Sequence, residues 1–238
     1  MVSNCASQSE EHSLNLKYIP LLVGVNFYYI FKNIRQSPVI NLFLSPSNDL
    51  CSFSLGGWTL IAQTVFRNST SFSPMVREKN FRMIQNYSSG IVRVDVTAIW
   101  QLKQLIHFTQ LRYFCHKKST GRIFHIMTKR DSHGERALRY LTEDPSVQPR
   151  ACGSFETLPD DNSFLAANCA KWGNDGVNSE CNKWGYYKNK GNYRIYNDPI
   201  IWEGKYYINL KPSILACDDS RDMPHPLSPG DKWQMYVR

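Results

Sequence analysis

The sequence predicts an α+β fold, predominantly antiparallel β with short helices, stabilised by disulfides as an extracellular domain. Three observations lead there. Apolar and polar residues alternate over short segments such as IVRVDV (91–96), which marks strands with one buried face. Clusters of Gly, Asn, Asp and Pro recur at 159–162, 173–176, 185 and 191–192, and such residues stop helices and make turns. Seven cysteines lie dispersed at 5, 51, 115, 152, 169, 181 and 217, no pair in CxxC spacing, in a chain with six Trp and 13 Tyr. That dispersal suits structural cross-links made in an oxidising compartment better than zinc or thioredoxin chemistry. An odd number leaves at least one thiol unpaired or paired between chains.

With 238 residues, 42% hydrophobic and 20% charged, the chain has the size of one large domain, or of one domain plus an extension, and a composition unlike that of a disordered protein. Residues 1–50 read as the extension. They open on the polar, acidic MVSNCASQSEEH, and an apolar run follows only at Ile19–Phe31, interrupted by Asn26. That run has the length of a signal-peptide core and is shorter than the roughly 20 residues that cross a bilayer. It fits an atypical signal or anchor, a wrongly assigned first exon, or a buried strand. The turn cluster Ser45–Asp49 marks the boundary. Residues 51–238 are expected to form a single β-rich domain, with two subdomains split near 145–150 as the alternative.

Gly56-Gly57 gives a sharp turn into a strand over Trp58–Val65. Residues 66–90 are polar and turn-rich. They carry two N-glycosylation sequons, Asn68-Ser69-Thr70 and Asn86-Tyr87-Ser88, so Asn68 and Asn86 are candidate glycan sites. Ile91–Val96 alternates as a half-buried strand. Ala98–Phe108 places Ile99, Leu102, Leu105 and Ile106 on one helical face. Leu111–His116 and Arg122–Thr128 read as a hairpin across the loop 117–121, which ends on Gly. Glu135–Leu141 suits one or two helical turns. Ile200–Trp202 and Tyr206–Leu210 form a second hairpin, and Trp233–Val237 a closing strand.

The formal charge is +8. The excess is concentrated between Arg112 and Arg139, where eight cations face only Asp131 and Glu135. Such a patch attracts polyanions through a salt-screened field. Lys117, Lys118 and Arg122 at the hairpin loop are the candidate polyanion-binding residues; a solvated loop with charged tips is the plain alternative. Arg112–Lys118 mixes basic and aromatic groups as single-strand binders do. The oxidising compartment and the lack of a module signature nonetheless argue against nucleic acid.

Asp160 and Asp161, and Asp218 and Asp219, lie in oxygen-rich clusters with Asn162, Asn174, Asp175, Asp222 and Asp231 nearby. Calcium draws its ligands from such groups, although Asx residues also populate turns for reasons of their own. His107, His116 and His125 have no HExxH spacing. The hairpin would bring His116 and His125 close, with Cys115 on the face opposite His116. No GxSxG, phosphate-loop or GxGxxG motif is present, and no enzyme is expected.

The blocks QLKQLIHFTQLRYFCHKKSTGRIFHIMTK (101–129), ACGSFETLPDDNSFLAANCAKWGNDG (151–176), ACDD (216–219) and LSPGDKWQMYVR (227–238) resemble the cnidarian family of uncharacterised skeletal organic matrix proteins, over roughly residues 51–238. The resemblance implies a secreted, non-enzymatic matrix or adhesion protein whose partners are acidic matrix glycans or proteins. It also implies two disulfides among Cys115, Cys152, Cys169 and Cys217, with Cys115–Cys152 and Cys169–Cys217 the expected pairs. Cys181 would pair with Cys51 or stay free.

FSLGGWTLIAQTVFRN (53–68) is similar to the Gly-Gly-Trp-Thr opening of fibrinogen-related domains. That similarity implies a calcium-dependent lectin-like alternative, with Trp172, Trp184 and Trp202 as sugar-stacking candidates. An intracellular enzyme with reduced thiols is the reading left if the chain is not secreted. Membrane contact is left open.

Overall fold

The computed structural model describes residues 57–67, 77–143, 148–173, 181–185, 200–211, 214–223 and 225–238. All lie in one unit spanning Gly56–Arg238. The expected extension over 1–50, Cys51, Asn68, Asn174 and Asp175 lie outside the described residues.

Among the described residues nine strands make two antiparallel sheets. The larger contains β1 (Thr59–Val65), β2 (Ile91–Arg93), β3 (Leu111–Lys117), β4 (Arg122–Thr128), β5 (Phe155–Thr157) and β9 (Lys232–Val237), in the order β2-β1-β9-β3-β4-β5. The smaller runs in the order β6 (Ile200–Trp202), β7 (Tyr206–Lys211), β8 (Ile214–Ser220). Three further elements cover the sheets: a 3-10 helix (Phe81–Ser89), α1 (Val96–Ile106) and α2 (Ser132–Thr142). The short α3 (Phe164–Ala167) leads into a single 3-10 turn at Cys169–Lys171.

The register of β3 sorts its side chains. Leu111, Tyr113, Cys115 and Lys117 are buried while Arg112, Phe114 and His116 are half-buried. Opposite them, Trp233, Met235 and Val237 of β9 pair with Cys115, Tyr113 and Leu111. Phe124 and Ile126 of β4 pair with Cys115 and Tyr113. This inner face meets β8: Trp233 Nε1 donates to the Ala216 carbonyl at 2.9 Å, and Cys115 is bonded to Cys217. A satellite core of Trp172, Trp184 and Phe155 lies beside it. Phe155 stacks on Trp172 at 5.0 Å, and Trp184 meets both edge-on. Each indole N–H has a buried acceptor, Leu165 O and Ser154 Oγ, as buried tryptophans require.

The α+β class is thus observed, and several expectations are corrected. The strand expected to reach Val96 ends at Arg93. Asp95 accepts from the Ala98 amide and caps α1, which makes Val96 the first helical residue. Residues 66–90 contain a 3-10 helix, capped by Asn80. The acidic segment ACDD is part of β8.

The disulfides are Cys115–Cys217 and Cys152–Cys169, not the expected Cys115–Cys152 and Cys169–Cys217. Cys115 points to the inner face, where β8 brings Cys217. Cys152 meets Cys169 locally, across a separation of 17 residues. β5, beyond residue 150, pairs with β4, and both lie in the unit Gly56–Arg238.

Candidate functional site

The loop cations do not form the expected cluster. Lys117 is fully buried on the inner face. Its Nζ lies 3.2 Å from Asp219 Oδ2 and 3.9 Å from Asp231 Oδ2, and donates to Leu215 O at 3.2 Å. Lys117 is therefore corrected as a polyanion ligand, because an ammonium excluded from water must find internal partners. Arg122 lies 3.8 Å over the Phe164 ring, donates to Asn162 O and faces Asp218. Of the three, only Lys118 is exposed.

The acidic residues are likewise committed within the fold. Asp218, at φ 57, accepts from the Phe164 and Leu165 amides at 2.8 and 2.9 Å. Burial nonetheless pushes its carboxyl up to about 6. Asp219 accepts from the Cys217 amide, and Asp231 from the Lys118 and Ser228 amides. Asp161 accepts from the His125 and Ser163 amides, and burial raises it too. Asp222 lies beside Arg221. Among the described residues no group of three or more His, Cys, Asp or Glu gathers to hold a metal. Calcium ligation by Asp160, Asp161, Asp218 and Asp219 thus does not fit this donor set: their oxygens serve backbone amides, Lys117 and His125.

Trp172 and Trp184 are buried in the core and cannot stack on sugar. Trp202 is half-buried against Tyr207. Asn86 is exposed on the 3-10 helix and is open to glycan attachment; Cys181 is exposed.

The polar chemistry gathers instead on the outer face of the large sheet. Phe114 pairs with His125, and Arg112 with Met127 and Tyr236. A groove of about 350 Å³ opens there, lined by Trp58, Arg112, His125, Asp160 and Arg238, among others. Arg238 lies 4.5 Å over Trp58, and Arg112 5.2 Å over Tyr236, distances at which a cation is attracted to a ring face. Arg130 Nε and an Arg238 amino group both donate to Gln110 Oε1, at 2.7 and 2.8 Å. Arg238 Nε is buried and has no hydrogen-bond partner among the described residues. Burial, and then Arg130 and Arg112, hold the Arg238 guanidinium below its ordinary range. No carboxylate is ion-paired with Arg112, Arg130 or Arg238 among the described residues. The sheet register places Arg112. Arg130 and Arg238 come from 18 residues beyond it and from the far end of the chain, a convergence no local pattern announces.

The groove also holds an arrangement that resembles a catalytic relay. His125 Nδ1 faces Asp160 at 2.5 Å, and His125 Nε2 accepts from Arg112 Nε at 2.6 Å. The ring proton therefore sits on Nδ1, toward the carboxylate. Burial lowers the imidazole pKa more than Asp160 raises it. A general base needs Nε2 directed at a nucleophile; here Arg112 takes that position. Comparison with models of known families, with curated proteins and with solved structures returned no match.

Proposed function

We propose that this chain is a secreted matrix or adhesion domain that works by binding, and that the groove of Arg112 and Arg238, with Arg130 joined to Arg238 through Gln110, receives an acidic polymer, a sulfated or carboxylated glycan. The observation that carries this reading is the convergence of three guanidiniums, none paired with a carboxylate among the described residues, beside Trp58 and Tyr236. Guanidinium forks match the geometry of carboxylates and sulfates, and an incoming anion would relieve their mutual repulsion. The aromatic rings offer faces to the apolar side of a sugar. The two disulfides are compatible with an extracellular setting. No helix among the described residues is long and apolar enough to cross a membrane. The likeness to skeletal organic matrix proteins agrees with this reading, and so does the occupied Nε2 of His125, which favours binding over catalysis.

Binding to a panel of sulfated, carboxylated and neutral glycans is the test. Retention that falls with salt, survives a chelator, and drops at least tenfold in Arg112→Gln/Arg238→Gln is expected. Equal binding by that variant, or binding that requires calcium, would overturn the reading.

A further inference from the structure

Lys117 is the most completely buried cation of the described chain, and its surroundings hold more than an ion pair. Its Nζ is 3.2 Å from Asp219 Oδ2, with neither side chain more than 3% exposed; Asp231, fully buried, stands 3.9 Å away. The strands that carry Lys117 and Asp219 are already bonded two residues back on each, at Cys115–Cys217, which fixes their approach. We propose that Lys117 and Asp219 condense into a side-chain amide, a cross-link between β3 and β8 made by the folded domain itself, with Asp231 as the proton carrier.

The step balances without any co-reactant. Within the pair one proton passes from the ammonium to the Asp219 carboxylate, giving a neutral amine and a neutral acid. The Nζ lone pair attacks Asp219 Cγ and an N–C bond forms. Negative charge grows on Oδ1, where the Cys217 amide already donates at 3.1 Å, the placement that stabilises an oxyanion. Asp231 takes a proton from the nitrogen and delivers it to the departing Oδ2 hydroxyl, the Cγ–O bond breaks, and one water leaves. Holding amine and acid in contact replaces a bimolecular encounter by an intramolecular one.

The product also fits the partners in place. An amide has one N–H and one carbonyl to satisfy. Leu215 O, 3.2 Å from Nζ, accepts the N–H, and the Cys217 amide serves the carbonyl. A buried ion pair is thereby exchanged for a neutral, fully hydrogen-bonded group. Asp231 keeps the Lys118 and Ser228 amides as its own donors.

Intact mass of the folded, secreted protein, measured after reduction, denaturation and glycan removal, reads the bond directly. A mass short by one water is expected, together with a branched peptide in which Lys117 is joined to Asp219. Lys117→Met and Asp219→Ala should show the full mass. Asp219→Asn should reach the same product by losing ammonia. Full mass in the parent protein, with the Lys117 and Asp219 peptides recovered separately, would overturn the cross-link. Condensation undiminished in Asp231→Asn would overturn the role given to Asp231.

Discussion

Arg112 Nε donates to His125 Nε2 at 2.6 Å, so a permanent cation is the donor to an imidazole whose other nitrogen faces Asp160. This bond exists only while the ring is neutral, because a protonated Nε2 has no lone pair to offer.

Acid should therefore break this contact. The folded-state pKa of His125 lies below its ordinary 6.5, chiefly through burial. The unfolded chain then binds more protons at this site, and the stability it contributes is present above 6.5 and lost progressively as pH falls from there through the lower folded-state pKa. Denaturant midpoints measured down this range should decline more steeply in the parent protein than in His125→Gln. Parallel profiles would remove His125 from the account.

Asp218 titrates in the opposite sense. Its carboxyl is raised to about 6, so its contribution is fully present below its ordinary 3.8 and declines as pH rises through about 6. Asp218→Asn should flatten that part of the pH–stability profile. Asp218→Ala, which strands the Phe164 and Leu165 amides, should cost about 2–4 kcal/mol by denaturant titration.

The two disulfides should differ in weight. Cys115–Cys217 closes a separation of 102 residues and Cys152–Cys169 one of 17. Chain-entropy reasoning assigns about 4–5 kcal/mol to the first and about 3 kcal/mol to the second. Double Ser variants of each pair, compared by chemical denaturation, should fall in that order.

Gly134→Ala is a substitution that helix propensity alone would favour by about 1 kcal/mol. In α2 the added Cβ would stand 2.0 Å from the Lys129 carbonyl oxygen, and backbone cannot yield as a flexible side chain does. The expected outcome is a lower melting temperature, by the equivalent of about 1–3 kcal/mol.

The hairpin expected over Leu111–His116 and Arg122–Thr128, and the helix expected over Ala98–Phe108, were legible to within a residue or two because their cues are local: alternation, a Gly-ending loop, an apolar stripe. Lys117 was legible as well, in principle. It continues the series Leu111, Tyr113, Cys115 at a spacing of two, which assigns it to the apolar face whatever its charge. The lysine pair at the loop drew attention away from that periodicity. β8 was hidden because its acidic residues are satisfied by groups distant in sequence, Lys117 for Asp219 and the start of α3 for Asp218. The disulfide pairing was hidden for the same reason, since it depends on which strand lies across the inner face. The arginine groove draws on Trp58, Arg112 and Arg238, and only the folded register unites them.

The adjacency of β1 and β9 bears on how the domain carries a load. They run antiparallel, with Thr59 opposite Val237 and Val65 opposite Lys232, so Trp58 and Arg238 leave from the same end of the sheet. A pull between these residues opens the ladder like a zipper, rung after rung from Thr59–Val237, and never shears all its rungs together. Past that point only the segments outside the Cys115–Cys217 cross-link can lengthen. The chain between Cys115 and Cys217 is bypassed by its own cross-link and cannot pay out, so the part of the domain it encloses would hold after the β1–β9 ladder has opened.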